Sequence, residues 1–514
     1  MRTHFLRGCI LVALLAALAQ AHIGSPDIYL NTEAGPYQLF VTIRPPAVIP
    51  GIAELEVRAE SSGVREMRAV PTPISGPGAQ FAPVADKLKA SPQDRQFFTG
   101  SLWMMAPGSW QVKLAADGAQ GEGVVSVPVP SAARTTRQMQ LPLKIILCAI
   151  GLFIVAGLIA IVGAGAREAK LEPGAEPAPR DKRRGRIAMA SAAVLVIGVL
   201  WFGNWWWNDE AVSYRERIYK PIKMSAAIDP EGTLTLKMTD PGWLRPKPGS
   251  LKRALFVRTI DDLIPDHDHL MHLYIIREPG LDVVYHLHPG LSEPGTFQLK
   301  LPDMPAGTYH LYADIVHASG FPETLTARLD LQHAVQGRPL AGDDASASAT
   351  TWQNTSTSDT FAVPDGYRME WMRGTSPLRA KQAQMFRFRL IDPQGRAATN
   401  MALYMGMLGH AAFVKTDGSV FAHIHPTGSV SMAAFMLAQN RPENNANAAS
   451  DRNMPGMEMA GMKMPGMNDD STTAVLPNEV SFPYGFPTPG RYRIFVQMKH
   501  GGTIETGVFD ATAE

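Results

Sequence analysis

Two apolar runs, Leu143 to Ala166 and Ile187 to Trp207, constrain this chain more than anything else in it. Each is about as long as the ~20 residues that an α-helix needs to cross the hydrocarbon core of a bilayer. Between them stand Arg167, Lys170, Arg180, Lys182, Arg183, Arg184 and Arg186. A short basic connection of this kind stays in the cytoplasm. Trp205, Trp206 and Trp207 end the second run and suit the outer interface. The expectation is a two-helix transmembrane hairpin joined by a cytoplasmic loop at 167–186. The first residues read as a signal peptide over 1–21. Arg2 and Arg7 precede an apolar stretch from Leu11 to Leu18, and Ala19-Gln20-Ala21 gives a small-x-small cleavage site. Cleavage there leaves His22 as the first mature residue, with an α-amino group and an imidazole together. Both flanks of the hairpin then lie on one side of an inner (cytoplasmic) membrane, in the periplasm or at the cell exterior.

Those flanks read as β-structure. Short alternating runs such as Leu234-Thr-Leu-Lys-Met and Arg387-Phe-Arg-Leu-Ile are punctuated by the chain's 45 glycines and 41 prolines. A Pro-Gly or Ala-Gly turn before an aromatic strand start recurs at Gly108, Gly307 and Gly490. The fold expected is mainly β: three Ig-like β-sandwich modules outside the membrane plus the transmembrane hairpin. The modules fall at 22–135, 209–333 and 361–514, with a polar linker over 334–360 and a low-complexity insertion over 440–473. A net charge of +1 gives no reason to expect nucleic acid. The two cysteines, Cys9 and Cys148, lie in apolar segments, so neither a disulfide framework nor a thiolate zinc site is available.

One histidine pattern occurs twice. Met271-His272-Leu-Tyr leads to Tyr285-His286-Leu287-His288-Pro289, and Gly409-His410-Ala-Ala leads to Ala422-His423-Ile424-His425-Pro426. Each copy closes on a matching block, Gly307-x-Tyr309 to His317 and Gly490-x-Tyr492 to His500. In His-x-His on a strand the two rings share a face, with Cα atoms about 6.6 Å apart at ~3.3 Å rise per residue. That spacing lets two imidazoles converge on one ion. His272 and His410, on a neighbouring strand, are candidate third ligands, and His317 and His500 candidate fourth ligands or groups behind them. Copy one adds Asp266-His267-Asp268-His269; copy two has Met401, Met405 and Met407 near the same place.

Six methionines, Met454, Met457, Met459, Met462, Met464 and Met467, fall within fourteen residues broken by Gly and Pro. Thioether sulfur is a soft ligand that selects Cu(I), whereas imidazole also suits zinc. Together the two ligand types point to copper, with zinc the competitor for the histidine sites.

At these residues the chain resembles bacterial envelope families. The MHLY…HLHP and GHAA…HIHP blocks resemble YtkA-like Ig-type domains, and the spans followed by a sandwich are similar to FixH-like proteins. A mature chain beginning at His22, with Asp27, resembles CopC-type periplasmic copper carriers, and the methionine run resembles the motifs of copper-resistance proteins. These resemblances imply metal binding without catalysis. No nucleophile, paired carboxylate or phosphate loop stands out, so no enzyme is expected. Two functions remain open: a membrane-anchored protein that captures, buffers or transfers copper to a receiving protein, and a metal-free module docking onto a membrane complex such as a respiratory one.

Overall fold

A computed structural model of the 514-residue chain describes residues 22–23, 27–74, 81–172, 174–239, 258–351, 358–439 and 475–514. The expected signal peptide, the Met454–Met467 run and the 440–473 insertion all lie outside the described residues. The chain divides into two compact units, residues 132–220 and the remainder.

The smaller unit holds two helices, Leu141–Glu168 and Pro179–Glu216, both long and apolar enough to cross a membrane. They overrun the expected spans at both ends. Of the seven basic residues between the expected spans, all but Lys170 are therefore helical. Pro179 presets the first turn, and the Asp181 carboxylate accepts from the Ala178 backbone N–H at 3.2 Å, which starts the helix ahead of the arginines. The two helices approach closely at Gly163 and Gly185; a Cβ on Gly163 would stand 2.3 Å from Met189 Cγ.

The larger unit is built of antiparallel sheets, as the alternating sequence requires. Residues 28–131 form a five- and a four-stranded sheet, 223–348 a four- and a six-stranded sheet, and 360–513 a four-stranded sheet and five strands of a six-stranded one, whose sixth strand, His22–Ile23, joins in parallel. These are not beads on a string, because all of them belong to one compact unit. The first segment lies against the loop after the second HxH: Asn31 N–H donates to Thr427 O at 2.7 Å and Ser429 N–H to Tyr29 O at 2.9 Å. Gly428 makes that approach possible, since a Cβ there would sit 1.9 Å from Tyr29 O.

The two histidine copies have the same topology. The His272–Glu278 strand lies between Val283–Leu287 and Gly307–His317; the His410–Lys415 strand lies between Val420–Ile424 and Gly490–His500. Register is equivalent too, with His272 opposite Asp314 and His410 opposite Gln497. Alternation then sorts the side chains. Tyr285 and Leu287 enter the core of the first copy, Ala422 and Ile424 that of the second.

The opposite faces of the two six-stranded sheets meet each other. Tyr274, Val284 and Tyr312 from one copy form a single buried cluster with Val414, Phe421 and Phe495 from the other. Tyr312 stacks on Phe421 with ring centroids 4.3 Å apart. Arg493 crosses this seam, pairing with Asp510 at 2.7 and 2.9 Å and donating to Leu281 O at 3.1 Å and Thr350 O at 2.9 Å.

The expected linker is also part of this structure. Ala345–Ser348 is a strand on the edge of Val283–Leu287, with Ala345 opposite His286. Small polar residues suit it, because a narrow edge strand needs backbone pairing more than side-chain bulk.

Candidate metal centre

Six imidazoles of the two repeats project into the seam, and an oxygen partner on each ring favours the tautomer whose hydrogen points at it. His272 Nε2 donates to Asp266 O at 2.9 Å, and His286 Nδ1 to Gln497 Oε1 at 2.8 Å. The remaining nitrogens, His272 Nδ1 and His286 Nε2, face each other at 3.3 Å. Both are then bare lone pairs, which cannot bond to one another. In the second copy His410 Nε2 donates to Tyr404 O at 3.2 Å, and His423 Nδ1 faces Asp314 Oδ2 at 3.3 Å. His410 Nδ1 and His423 Nε2 are left opposed at 3.1 Å. Two ligands at a tetrahedral angle, with metal–nitrogen bonds of ~2.0–2.1 Å, stand about 3.4 Å apart. The opposed pairs are already close to that separation.

The third ring of each set follows the same rule. His288 Nδ1 lies 3.2 Å from Asp344 Oδ1, and His425 Nδ1 donates to Val430 O at 3.2 Å. Their Nε2 atoms are buried with no hydrogen-bond partner among the described residues. The ligating atoms of His272, His286 and His288 lie within 4.8 Å of one another, as do those of His410, His423 and His425. An imidazole whose far N–H is held by a carbonyl or carboxylate is the usual arrangement of a metal ligand.

The orienting groups are exchanged between copies. Gln497, from the second copy, serves His286 of the first; Asp314, from the first, serves His423 of the second. The two occupy equivalent register positions, so the exchange follows the pseudo-symmetry of the repeat. Asp344, from the former linker, holds His288 and is itself paired with Arg338. The Tyr404 hydroxyl donates to Asp343 O at 2.8 Å and lies 3.2 Å from His286 Nδ1.

Burial holds these imidazoles neutral. It lowers His272 to about 3 and pushes His286, His288, His410, His423 and His425 down as well. Neutral imidazole is the form that binds metal. Burial also raises the Asp314 carboxyl, although 23% of its side chain remains exposed.

The two sets are contiguous. His272 and His423 have ring centroids 5.4 Å apart, and so do His286 and His423. His269 stacks on His288 at 3.9 Å, toward the more exposed side. The turn ahead of each first strand has the same backbone. His267 and Asp268 hold positive φ values of 49° and 65°, and Met405 and Gly406 hold 49° and 75°. Copy one thus presents an imidazole where copy two presents a thioether residue.

Not every expected ligand arrives here. His317 is fully buried elsewhere, with Nδ1 2.6 Å from Asp262 and Nε2 3.1 Å from Glu323. Both nitrogens are committed to carboxylates, and although burial opposes it, those bonds raise its pKa. The Arg258 guanidinium completes that ion cluster at 2.6 Å from Glu323. His500, on the same kind of strand end, lies against Tyr367 at 4.4 Å, opposite Met401. Neither histidine belongs to a ligand set, because a strand of eleven residues carries its last position away from the centre that Asp314 and Gln497 reach. The backbone of His22–Ile23 pairs in parallel with Val420–Phe421, on the strand that carries His423; the His22 ring lies outside what is described.

Sequence reasoning missed Asp314, Gln497, Asp344 and Tyr404. Aligning the two closing blocks does set Asp314 against Gln497, and that was the one available sign. Gln497→Leu removes the acceptor that holds His286, leaving only Tyr404.

No curated protein matches the chain. Among solved structures, a tetra-tandem repeat from the extending region of a large adhesion protein is 7% identical over 96% of each chain, with a TM-score of 0.15. A putative membrane anchored protein from Corynebacterium diphtheriae is 10% identical over 95% of this chain and 96% of its own, also at 0.15. The ICAM-5 D1–D4 ectodomain is 7% identical over 93% and 77%, at 0.14. Scores this low carry no argument. Residues 361–514, which contain the second histidine copy, match the model of a domain of unknown function, DUF8832.

Proposed function

We propose that this chain is a membrane-anchored extracytoplasmic copper-binding protein, in which two sets of three histidines capture, buffer or transfer the ion. The observation that carries the reading is the pair of opposed bare nitrogens in each copy, 3.3 and 3.1 Å apart. Two buried lone pairs facing each other without a proton between them repel, and an ion between them turns that repulsion into two bonds. The unpartnered Nε2 of His288 and of His425 supplies a third donor to each set. A metal-free docking module would have no use for rings oriented this way.

Copper is preferred over zinc on the Met-rich sequence at 454–467, whose thioethers suit Cu(I). The hairpin would anchor the histidine-bearing part at the inner membrane, on the periplasmic or exterior side. The three sandwich modules would stand there together, and a copper-receiving or respiratory-assembly protein would be the partner.

The test is a Cu(II) titration of the full chain in detergent against a competing chelator. Two tight equivalents are expected, since thioether contributes little to Cu(II) affinity; Cu(I) should add further capacity. His286→Ala/His288→Ala should remove one Cu(II) equivalent and His423→Ala/His425→Ala the other. Wild-type protein that yields all its copper to a weak chelator, or variants that bind like wild type, would refute the reading. Zinc that displaces copper at equal concentration would change the metal but leave the sites.

A further inference from the structure

The seam holds a third group of donors that belongs to neither histidine set. Asp266 and His267 of the first copy reach His425 of the second, with one ligating atom from each inside 4.8 Å of the others. All three residues are buried. The His267 ring lies 5.0 Å from that of His425 and 5.2 Å from that of His410. The Met405 backbone lies beside the ring and interacts with it, but neither ring nitrogen makes a well-directed hydrogen bond among the described residues. The cost of burying a polar ring without partners is ~1–3 kcal/mol, so such a ring calls for an explanation. Asp266 is fixed from both sides: its Oδ1 accepts from Ala433 N–H at 2.8 Å and its carbonyl from His272. The other carboxylate oxygen remains available. The left-handed backbone at His267 and Asp268 holds the ring in this position.

We infer that Asp266, His267 and His425 form a further binding position for a divalent ion of the Cu(II)/Zn(II) class, bridging the two copies. This rests on the reading of the histidine sets as metal sites. One carboxylate oxygen with two imidazoles is a donor set for a divalent, borderline ion and a poor one for Cu(I). Since His425 Nδ1 is committed to Val430 O, only Nε2 can bind an ion. The bridging position and the second histidine set therefore cannot both use His425. They are alternative seats for one ion, with His425 as the pivot. Moving between them exchanges His410 and His423 for Asp266 and His267, and needs about 1 Å of closure to reach bonding distance. An ion in the bridging seat ties residues of both copies together.

The test uses full-length protein in detergent, Cu(II) as the probe, and electron paramagnetic resonance. In His410→Gln/His423→Gln, which dismantles the second set, two Cu(II) equivalents should still bind. Adding Asp266→Asn and His267→Gln should reduce that to one. Binding of a single equivalent before those changes, or of two after them, overturns the inference while leaving the two-set reading intact. Should the glutamine pair fail to fold, His267→Gln alone serves. Wild type at two equivalents should show mixed species from the second ion, and His267→Gln should collapse them to one. An unchanged spectrum overturns the bridging seat. Wild-type protein that binds no Cu(II) removes the histidine sets themselves.

Discussion

Acidifying the metal-free protein from pH 7 to pH 5 is expected to lower its thermal midpoint by at least ~10 °C. Seven buried histidines are responsible: His267, His272, His286, His288, His410, His423 and His425. Burial is the first cause of the lowered pKa in each, and it brings His267 and His272 to about 3. In the unfolded chain a histidine takes its proton near pH ~6.5. Below that pH the unfolded state binds protons that the folded state refuses, so stability falls as pH falls. Each such proton is worth about 1.4 kcal/mol per pH unit. His317, whose pKa rises despite burial because of its carboxylate bonds, adds stability as pH falls toward ~6.5, and Asp314 and Glu505 act with the same opposite sign through pH 5. Burial raises both, Glu505 to about 7, so the folded state takes their protons first and gains stability on acidification. Seven against two leaves a net difference of about five protons, or several kcal/mol per unit through pH 6 to 5. A domain stable by only ~5–15 kcal/mol feels that strongly. Circular dichroism melts at pH 7, 6 and 5 provide the check; midpoints constant within ~3 °C would contradict buried neutral rings.

Arg493→Ala should destabilise the larger unit by about 3–5 kcal/mol. The residue is 2% exposed and its guanidinium is shared between Asp510 and the carbonyls of Leu281 and Thr350. Truncation removes the cation from a half-buried carboxylate and from the carbonyls of Leu281 and Thr350 at once. Arg493→Lys keeps the charge but loses the fork, and should fall between. Arg58→Ala is the control: its pair with Asp94 leaves 50% and 38% of the two side chains exposed, and should cost under ~1 kcal/mol. Equilibrium denaturation measures all three. A loss below ~1 kcal/mol for Arg493→Ala would mean that the seam is held by its apolar cluster alone.

The histidine sets could be recognised in the sequence because strand alternation is local: residues i and i+2 share a face wherever the strand lies. The repeat made the pattern visible twice. The turn at His267 was noticed as a charged prelude, but its inward aim depends on a left-handed backbone that composition does not announce. The groups that orient the rings were hidden for a different reason. Asp314 and Gln497 act on the opposite copy, more than a hundred residues away in sequence, and no local period reports a contact across a seam. Asp344 was hidden by its surroundings. A run of Ala, Ser and Thr reads as linker, although one backbone ladder is enough to order it as an edge strand. His317 shows the converse: it keeps its place in the repeat yet serves an ion cluster near Arg258.

The exchange of Asp314 and Gln497 also bears on the symmetry of the molecule. A contact in which residue i of one copy meets residue j of the other, and j meets i in return, is the mark of a two-fold homodimer interface. Here both halves sit on one chain. The arrangement has the reciprocity of such a dimer within a single chain. A homodimer must mutate both of its seats together. A single chain can keep an imidazole at His267 and a thioether at Met405 on the same turn, so the two halves of the seam need not be alike.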